Sequence, residues 1–269
     1  MKIDDWSAEA FNQVPDSRNE IHGDEIARRY GFKGGLVPGV TVSAYLVHPA
    51  VEAWGMAFLE RGCAHVRVVS PLYDGERFTV AVRERAAHSY SAELHRPDGT
   101  LSATAEVSLP EAVGEAPRRR GDPLAAKDWQ GPQATPERWA RLQADGCRAI
   151  RYRWDARHPM STYLRDGVGM PAPLAGARMH ANMAFVLGTS NWILATNAHM
   201  NPWVHLETRS QNFRAIAVDT MLVAEMEVRD CFEKKGHEFV DVTVALYDEA
   251  SDAAAASIDL RAIYRLRGL

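Results

Sequence analysis

A chain of 269 residues with 46% hydrophobic and 25% charged side chains has the composition of a folded globular protein, either one large domain or two fused smaller ones. Its formal net charge of -4 argues against a nucleic-acid partner, because phosphate-binding surfaces leave a visible Lys/Arg excess. Cys63, Cys147 and Cys231 have neither disulfide-framework nor zinc spacing, the N-terminus lacks the apolar run of a signal peptide, and no segment approaches the ~20 apolar residues of a membrane span. The expectation is a cytoplasmic protein with reduced thiols, no metal and no membrane contact.

In chain order, residues 24–30 predict a short helix after a polar cap, and residues 40–54 a longer apolar helix that follows a Gly/Pro loop. Alternating, β-rich segments follow at 65–69, 77–83, 89–95 and 101–109, with turn signals at Tyr73-Asp74-Gly75 and Pro97-Asp98-Gly99. The stretch 110–136 is rich in Gly, Pro and charge and reads as a linker. Its Arg118 to Arg120 run reads as a solvated face.

Beyond it, residues 149–154 could open a second set with a strand, residues 177–195 are apolar enough for a buried helix, and strands are expected at 203–213, 221–229, 238–247 and 256–264. One central helix followed by a meander of strands thus occurs twice, which suggests duplication. A curved antiparallel sheet that covers its apolar face with one long helix is an α+β solution with the shape of a hot-dog unit. Two fused units would pair within one chain: residues 1–110, a linker 111–136, and residues 137–269.

The most informative stretch runs from Asn19 through His22, Asp24, Ala27, Gly31, Phe32, Pro38 and Gly39 to Tyr45 and Leu46. It resembles the MaoC-like hydratase signature, in which an Asp-x-Asn-Pro-x-His loop is followed two places later by Asp, then by a short helix ending in Ala-x-x-x-Gly-Phe, then by a His-Gly pair opening the central helix. Asn19, His22, Asp24, Ala27, Gly31, Phe32 and Gly39 match. Ser17 stands at the family's Asp position with Asp16 one residue too early, Glu20 replaces the Pro, and Pro38 replaces the His of the His-Gly pair. The resemblance implies a tandem (double) hot-dog fold, an acyl-thioester substrate carried by CoA or a carrier protein, and no cofactor. No second copy of the His-bearing loop occurs beyond the linker, so one site per chain is expected, with the second half walling the acyl pocket.

Hydration of a 2-enoyl thioester needs a base near the water and donors near the thioester oxygen. His22 titrates near neutrality and suits the base; Gly39 opens a helix whose first amides suit the oxyanion. Asn19 is expected to position, Ser17 to hold a water, and Pro38 and Val40 to flank the substrate. Asp16 could approach as a carboxylate, and Asp24 either does so or caps the short helix, the capping reading being favoured. An aspartate restored at position 17 is expected to raise hydration. Two other functions fit the same fold: a thioesterase, with Glu52 and Asp24 as its carboxylates, and an acyl-thioester-binding protein without catalysis. His48, His180 and His199 read as core or interface histidines. Trp192, Trp203 and Phe185 fit either a tunnel lining or core. Pairing of exposed sheet edges favours a homodimer.

Overall fold

The computed structural model describes residues 3–267. Two apolar helices dominate the core, α2 (Gly39–Trp54) and α5 (Met183–Asn197). Both are apolar nearly all round, as a helix enclosed by other elements must be. Each lies against its own set of strands, and the two helices also pack on each other between the sets.

The first set comprises β1 (Trp6–Glu9), β2 (Cys63–Val68), β3 (Arg77–Arg83), β4 (Ser89–His95) and β5 (Leu101–Ser108). The second comprises β6 (Ile150–Arg153), β7 (Val204–Asn212), β8 (Met221–Lys234), β9 (His237–Asp248) and β10 (Ala254–Arg265). Their order in the sheet is β1-β3-β4-β5-β2-β7-β10-β9-β8-β6, so each half reads as the other reversed. The two sheets join edge to edge where β2 pairs antiparallel with β7, Cys63 opposite Gln211 and Arg67 opposite Glu207. This is a double hot-dog: two helix-bearing sheets fused into one ten-stranded sheet. Alternation drives the wrapping. In β4 the side chains of Tyr90, Ala92 and Leu94 are buried, while their neighbours reach the outer face.

The expected strands all form, and β8 and β9 run beyond their expected ends to meet at Lys235-Gly236. Both turn residues have positive φ, 55° and 79°, the left-handed pair that a tight hairpin needs. Apart from two 3-10 turns, three elements among the described residues go beyond the expectations: β1; the short α3 (Met56–Arg61), set off from α2 by Gly55 at φ 54°; and α4 (Pro136–Asp145). α4 carries a sequence-readable start, since the Thr135 hydroxyl accepts the Arg138 amide at 3.1 Å and Pro136 follows it. The second central helix begins at Met183 and not near 177, because the Asn182 side chain caps it by accepting the Ala184 and Phe185 amides at 2.9 and 3.3 Å.

The stretch between β5 and α4 is anchored rather than freely solvated. Buried Glu225 on β8 accepts the backbone amides of Arg120, Gly121 and Asp122 at 2.7, 2.7 and 2.9 Å. Arg119 pairs with Asp252, and Arg120 reaches the Met226 carbonyl at 3.0 Å. Arg118 stands out in solvent with 91% of its side chain exposed, whereas Arg119 and Arg120 are 24% and 44% exposed. Among the described residues no helix is long and apolar enough to cross a membrane.

Candidate active site between the two halves

The loop before α1 (Asp24–Arg29) carries His22 at the end of a single 3-10 turn, Glu20–His22. Its backbone is fixed on both sides: the His22 carbonyl accepts the Asn12 side chain at 2.8 Å, and the Leu36 amide donates to the Ile21 carbonyl at 3.1 Å. Gly35 passes so close that an added Cβ would lie 2.1 Å from the His22 carbonyl oxygen, so only glycine permits this crossing. Nδ1 of His22 lies 2.8 Å from the Leu36 carbonyl. A carbonyl can only accept, so Nδ1 holds the proton and Nε2 keeps a free lone pair. Burial lowers the pKa of His22 from its ordinary value, against a smaller opposing effect of the Leu36 hydrogen bond.

Two cavities meet at this imidazole. The first, about 210 Å³, is lined mainly by Ile21, Leu36, Val42, Val68, Leu72 and Leu206, with His22, Gly39, Asn191 and His205 as polar or backbone groups. The second, about 290 Å³, is more polar and is bordered by Ser17, Arg18, Pro38, Val40, Gln130 and Thr196. Asn19, His22, Asn191 and Trp203 line both, so the two spaces adjoin along a seam between the halves. No Asp or Glu lines either one.

The first turn of α2 borders both cavities, with Gly39 in one and Pro38 and Val40 in the other. Its intrahelical bonds begin with the Thr41 and Val42 amides, both donated to the Pro38 carbonyl at 2.8 and 3.0 Å. The Gly39 and Val40 amides precede that ladder, and Pro38 supplies no side-chain cap. The counterpart helix α5 differs at this point because Asn182 occupies its first amides. Of the two central helices, only α2 therefore starts without a side-chain cap.

The structure brings together six of the eight residues singled out from the sequence. His22, Asn19, Gly39, Ser17, Pro38 and Val40 line the adjoining cavities. The Ser17 hydroxyl donates to the Asn19 carbonyl at 2.9 Å. Asp16 is exposed and lines neither cavity. Asp24 also lies outside, its carboxylate taken by the Gly35 amide and Arg28, both at 2.8 Å, so it ties the loop instead of meeting a ligand. The Glu52 side chain lies near the far end of α2, 54% exposed and 4.0 Å from His48, away from both cavities.

Of the aromatic residues, Trp192 and Trp203 border the cavities while Phe185 is core against Trp154. His48 is a buried core histidine on Tyr163, and His199 borders the polar cavity with Nδ1 2.5 Å from the Gln130 amide nitrogen.

Sequence reasoning missed His205 and Asn191. His205, on β7, is 6% exposed, and its Nδ1 lies 2.9 Å from Oδ1 of Asn191 on α5. Burial first, and then the neighbouring charge of a protonated His22, push its pKa down to about 3. Its ring packs on the start of α2, where a Cβ added to Gly39 would lie 2.8 Å from Cδ2 of His205. Thr208, Ser210 and Asn212 are buried polar residues of the same strand, so no local signal set His205 apart. Among the described residues no cluster of three His, Cys, Asp or Glu could hold a metal ion.

No protein-family model matches the chain, and no curated protein matches it. Solved structures do match, over nearly the whole length. A conserved hypothetical protein of Mycobacterium tuberculosis, essential for bacterial survival during infection and described as a double hotdog fold, aligns over 98% of this chain and 96% of its own, with a TM-score of 0.58 and 10% identity. A Chloroflexus aurantiacus protein assigned as a MaoC domain dehydratase aligns over 98% and 96%, with a TM-score of 0.53 and 10% identity. A Thermobifida fusca protein assigned as thioesterase II aligns over 97% and 92%, with a TM-score of 0.53 and 13% identity. The double hot-dog fold is therefore common to proteins assigned to two reactions, and the reaction of this chain has to be argued from its site.

Proposed function

We propose that this protein binds an acyl thioester between its two halves and catalyses the reversible addition of water to a 2-enoyl thioester, with CoA or a carrier protein as the acyl carrier. The observation that carries the reading is that His22 and the uncapped start of α2 line one mostly apolar cavity. An acyl chain suits the apolar cavity, and the amide-bearing arm of the carrier suits the polar one, with Arg18 at its border.

In this reading the oxygen of a water forms its bond to C3 while one of its protons passes to Nε2 of His22. The π pair shifts towards C2 and the thioester carbonyl, whose oxygen takes up the negative charge beside the Gly39 and Val40 amides. The proton then returns from Nε2 to C2, so that water has been added and the imidazole is again neutral. A lowered His22 pKa keeps the ring in its accepting form at neutral pH. Asn19 and Ser17 act by positioning the loop. Hydrolysis by a carboxylate is less well supported, since Glu52 and Asp24 both lie away from the cavities.

The test is spectrophotometric. Crotonyl-CoA is expected to lose its enone absorbance without release of free thiol. Thiol release would replace hydration by hydrolysis, and ligand-dependent melting with neither change would leave a binding protein.

A further inference from the structure

We infer that His205 is a second functional histidine, whose Nε2 accepts a hydrogen bond from the water that adds to C3 or, in the reverse direction, from the 3-hydroxyl of the product. The inference deepens the acyl-thioester reading and rests on it.

His205 Nε2 is a buried polar atom without a hydrogen-bond partner. A core histidine ordinarily has both nitrogens satisfied, because a buried acceptor that lacks a donor is destabilising. Here the ring borders the same cavity as His22 and Gly39. Its chemical state is set from behind: Oδ1 of Asn191 can only accept, so Nδ1 carries the proton and Nε2 the lone pair. The depressed pKa keeps that lone pair unprotonated throughout the neutral range.

Two neutral imidazoles, one from each half, thus border one cavity, and a water reaching both would find two acceptor nitrogens. A water has two protons to donate. With one given to His22 and the other to His205, its oxygen lone pairs are left to face C3. Ser17 offers no carboxylate for that task, and its hydroxyl proton is already committed to the Asn19 carbonyl. Gly39 permits the arrangement, because any larger residue there would press on the His205 ring.

The experiment compares binding of 3-hydroxybutyryl-CoA and butyryl-CoA by calorimetry in the full chain. The His22→Ala background slows turnover about 10²–10⁴-fold, so the thioesters persist during the titration. In that background the hydroxylated thioester is expected to bind about 10-fold more tightly, a preference that a site lined with a hydroxyl acceptor should show. Adding His205→Phe should bring the ratio of the two affinities to about 1, while His205→Gln, which retains an acceptor oxygen, should keep most of the preference. Asn191→Ala, which frees the tautomer, should weaken the preference and carries the test if His205→Phe fails to fold.

A preference that survives His205→Phe overturns the inference, as does an equal loss of affinity for both thioesters. If neither thioester binds the parent protein, the acyl-thioester reading falls and this inference falls with it. A wild-type protein that binds with the expected preference but does not hydrate crotonyl-CoA overturns the proposed reaction and supports the role of His205.

Discussion

Asn19 and Trp203, 184 residues apart, exchange two hydrogen bonds: the Asn19 side-chain amide donates to the Trp203 carbonyl at 3.0 Å, and the Trp203 amide donates to Asn19 Oδ1 at 3.1 Å. The adjacent pair Glu20 and Asn201 repeats the pattern at 3.0 and 2.8 Å. Four hydrogen bonds therefore pin the His22 loop of the first half to the strand entry of the second. Asn19 thus binds the opposite half, which supports the positioning role proposed for it.

Asn19→Ala strips both partners from the backbone of Trp203, which is 4% exposed. Leaving such groups unpaired costs about 1–3 kcal/mol, so a lower urea midpoint is expected together with slower hydration. Asn19→Asp should do no better, because a carboxylate cannot donate to the Trp203 carbonyl. Wild-type stability and turnover in both variants would show that the seam is dispensable.

The proposed hydration needs neutral His22, and burial lowers the pKa of that group. Initial rates on crotonyl-CoA should therefore be flat above pH ~6.5, the ordinary histidine value, and should fall only at lower pH. His22→Ala should reduce kcat/KM by about 10²–10⁴ and remove the acid limb. An acid limb centred above the ordinary histidine value would assign the proton transfer to another group.

Much of the fold could be read along the chain because it is written in local patterns. Alternation gave the strands, and the open Gly/Pro loop ahead of residue 40 announced the first central helix. The motif loop was legible for the same reason: Asn19, His22 and Gly39 lie within one short segment. His205 and Asn191 were not legible, because their relation to His22 exists only after α5 and β7 fold against the first half. A histidine in β7 has no local mark that separates a site residue from a core one. Asp24 illustrates the opposite error. The favoured reading is a helix cap, with ligand contact as the alternative, while Gly23 is the N-cap of α1 and the Asp24 carboxylate serves the Gly35 amide and Arg28. The anchoring of Arg119 and Arg120 was hidden for a related reason, since Glu225, Asp252 and Met226 lie far along the chain.

Ser17 stands where the motif has a carboxylate, which by sequence favours a gain from Ser17→Asp. The hydrogen bond that Ser17 makes argues for the opposite outcome. The Ser17 hydroxyl donates to the Asn19 carbonyl at 2.9 Å, and an ionised aspartate has no proton to give and would face that carbonyl with like charge. Ser17→Ala should lower stability by about 0.5–1.5 kcal/mol, the ordinary net worth of one hydrogen bond. Ser17→Asp should lose more, in both stability and hydration rate. A rate above wild type would mean that the loop re-forms around the carboxylate and that the serine bond is unimportant.

Stability should also depend on pH through the buried histidines. His48 stacks on Trp6 with ring centroids 3.8 Å apart, bonds the Tyr163 hydroxyl at 2.9 Å, and is pushed down to about 4 by burial; His205 is pushed down to about 3. In the unfolded chain both return to about 6.5. Above that value neither state is protonated and their full contribution to stability is present. As the pH falls below it, the unfolded state binds protons that the native state refuses, so stability is lost down to the folded pKa values at about 1.4 kcal/mol per pH unit for each histidine. Urea midpoints should therefore fall steeply between about pH 6 and 4.5, before most carboxylates titrate. His48→Phe, which keeps an aromatic ring over Trp6, should flatten that slope by one proton's worth, and His205→Phe should do the same. An unchanged slope in both variants would mean that these imidazoles take up protons as readily in the folded protein as in the unfolded one.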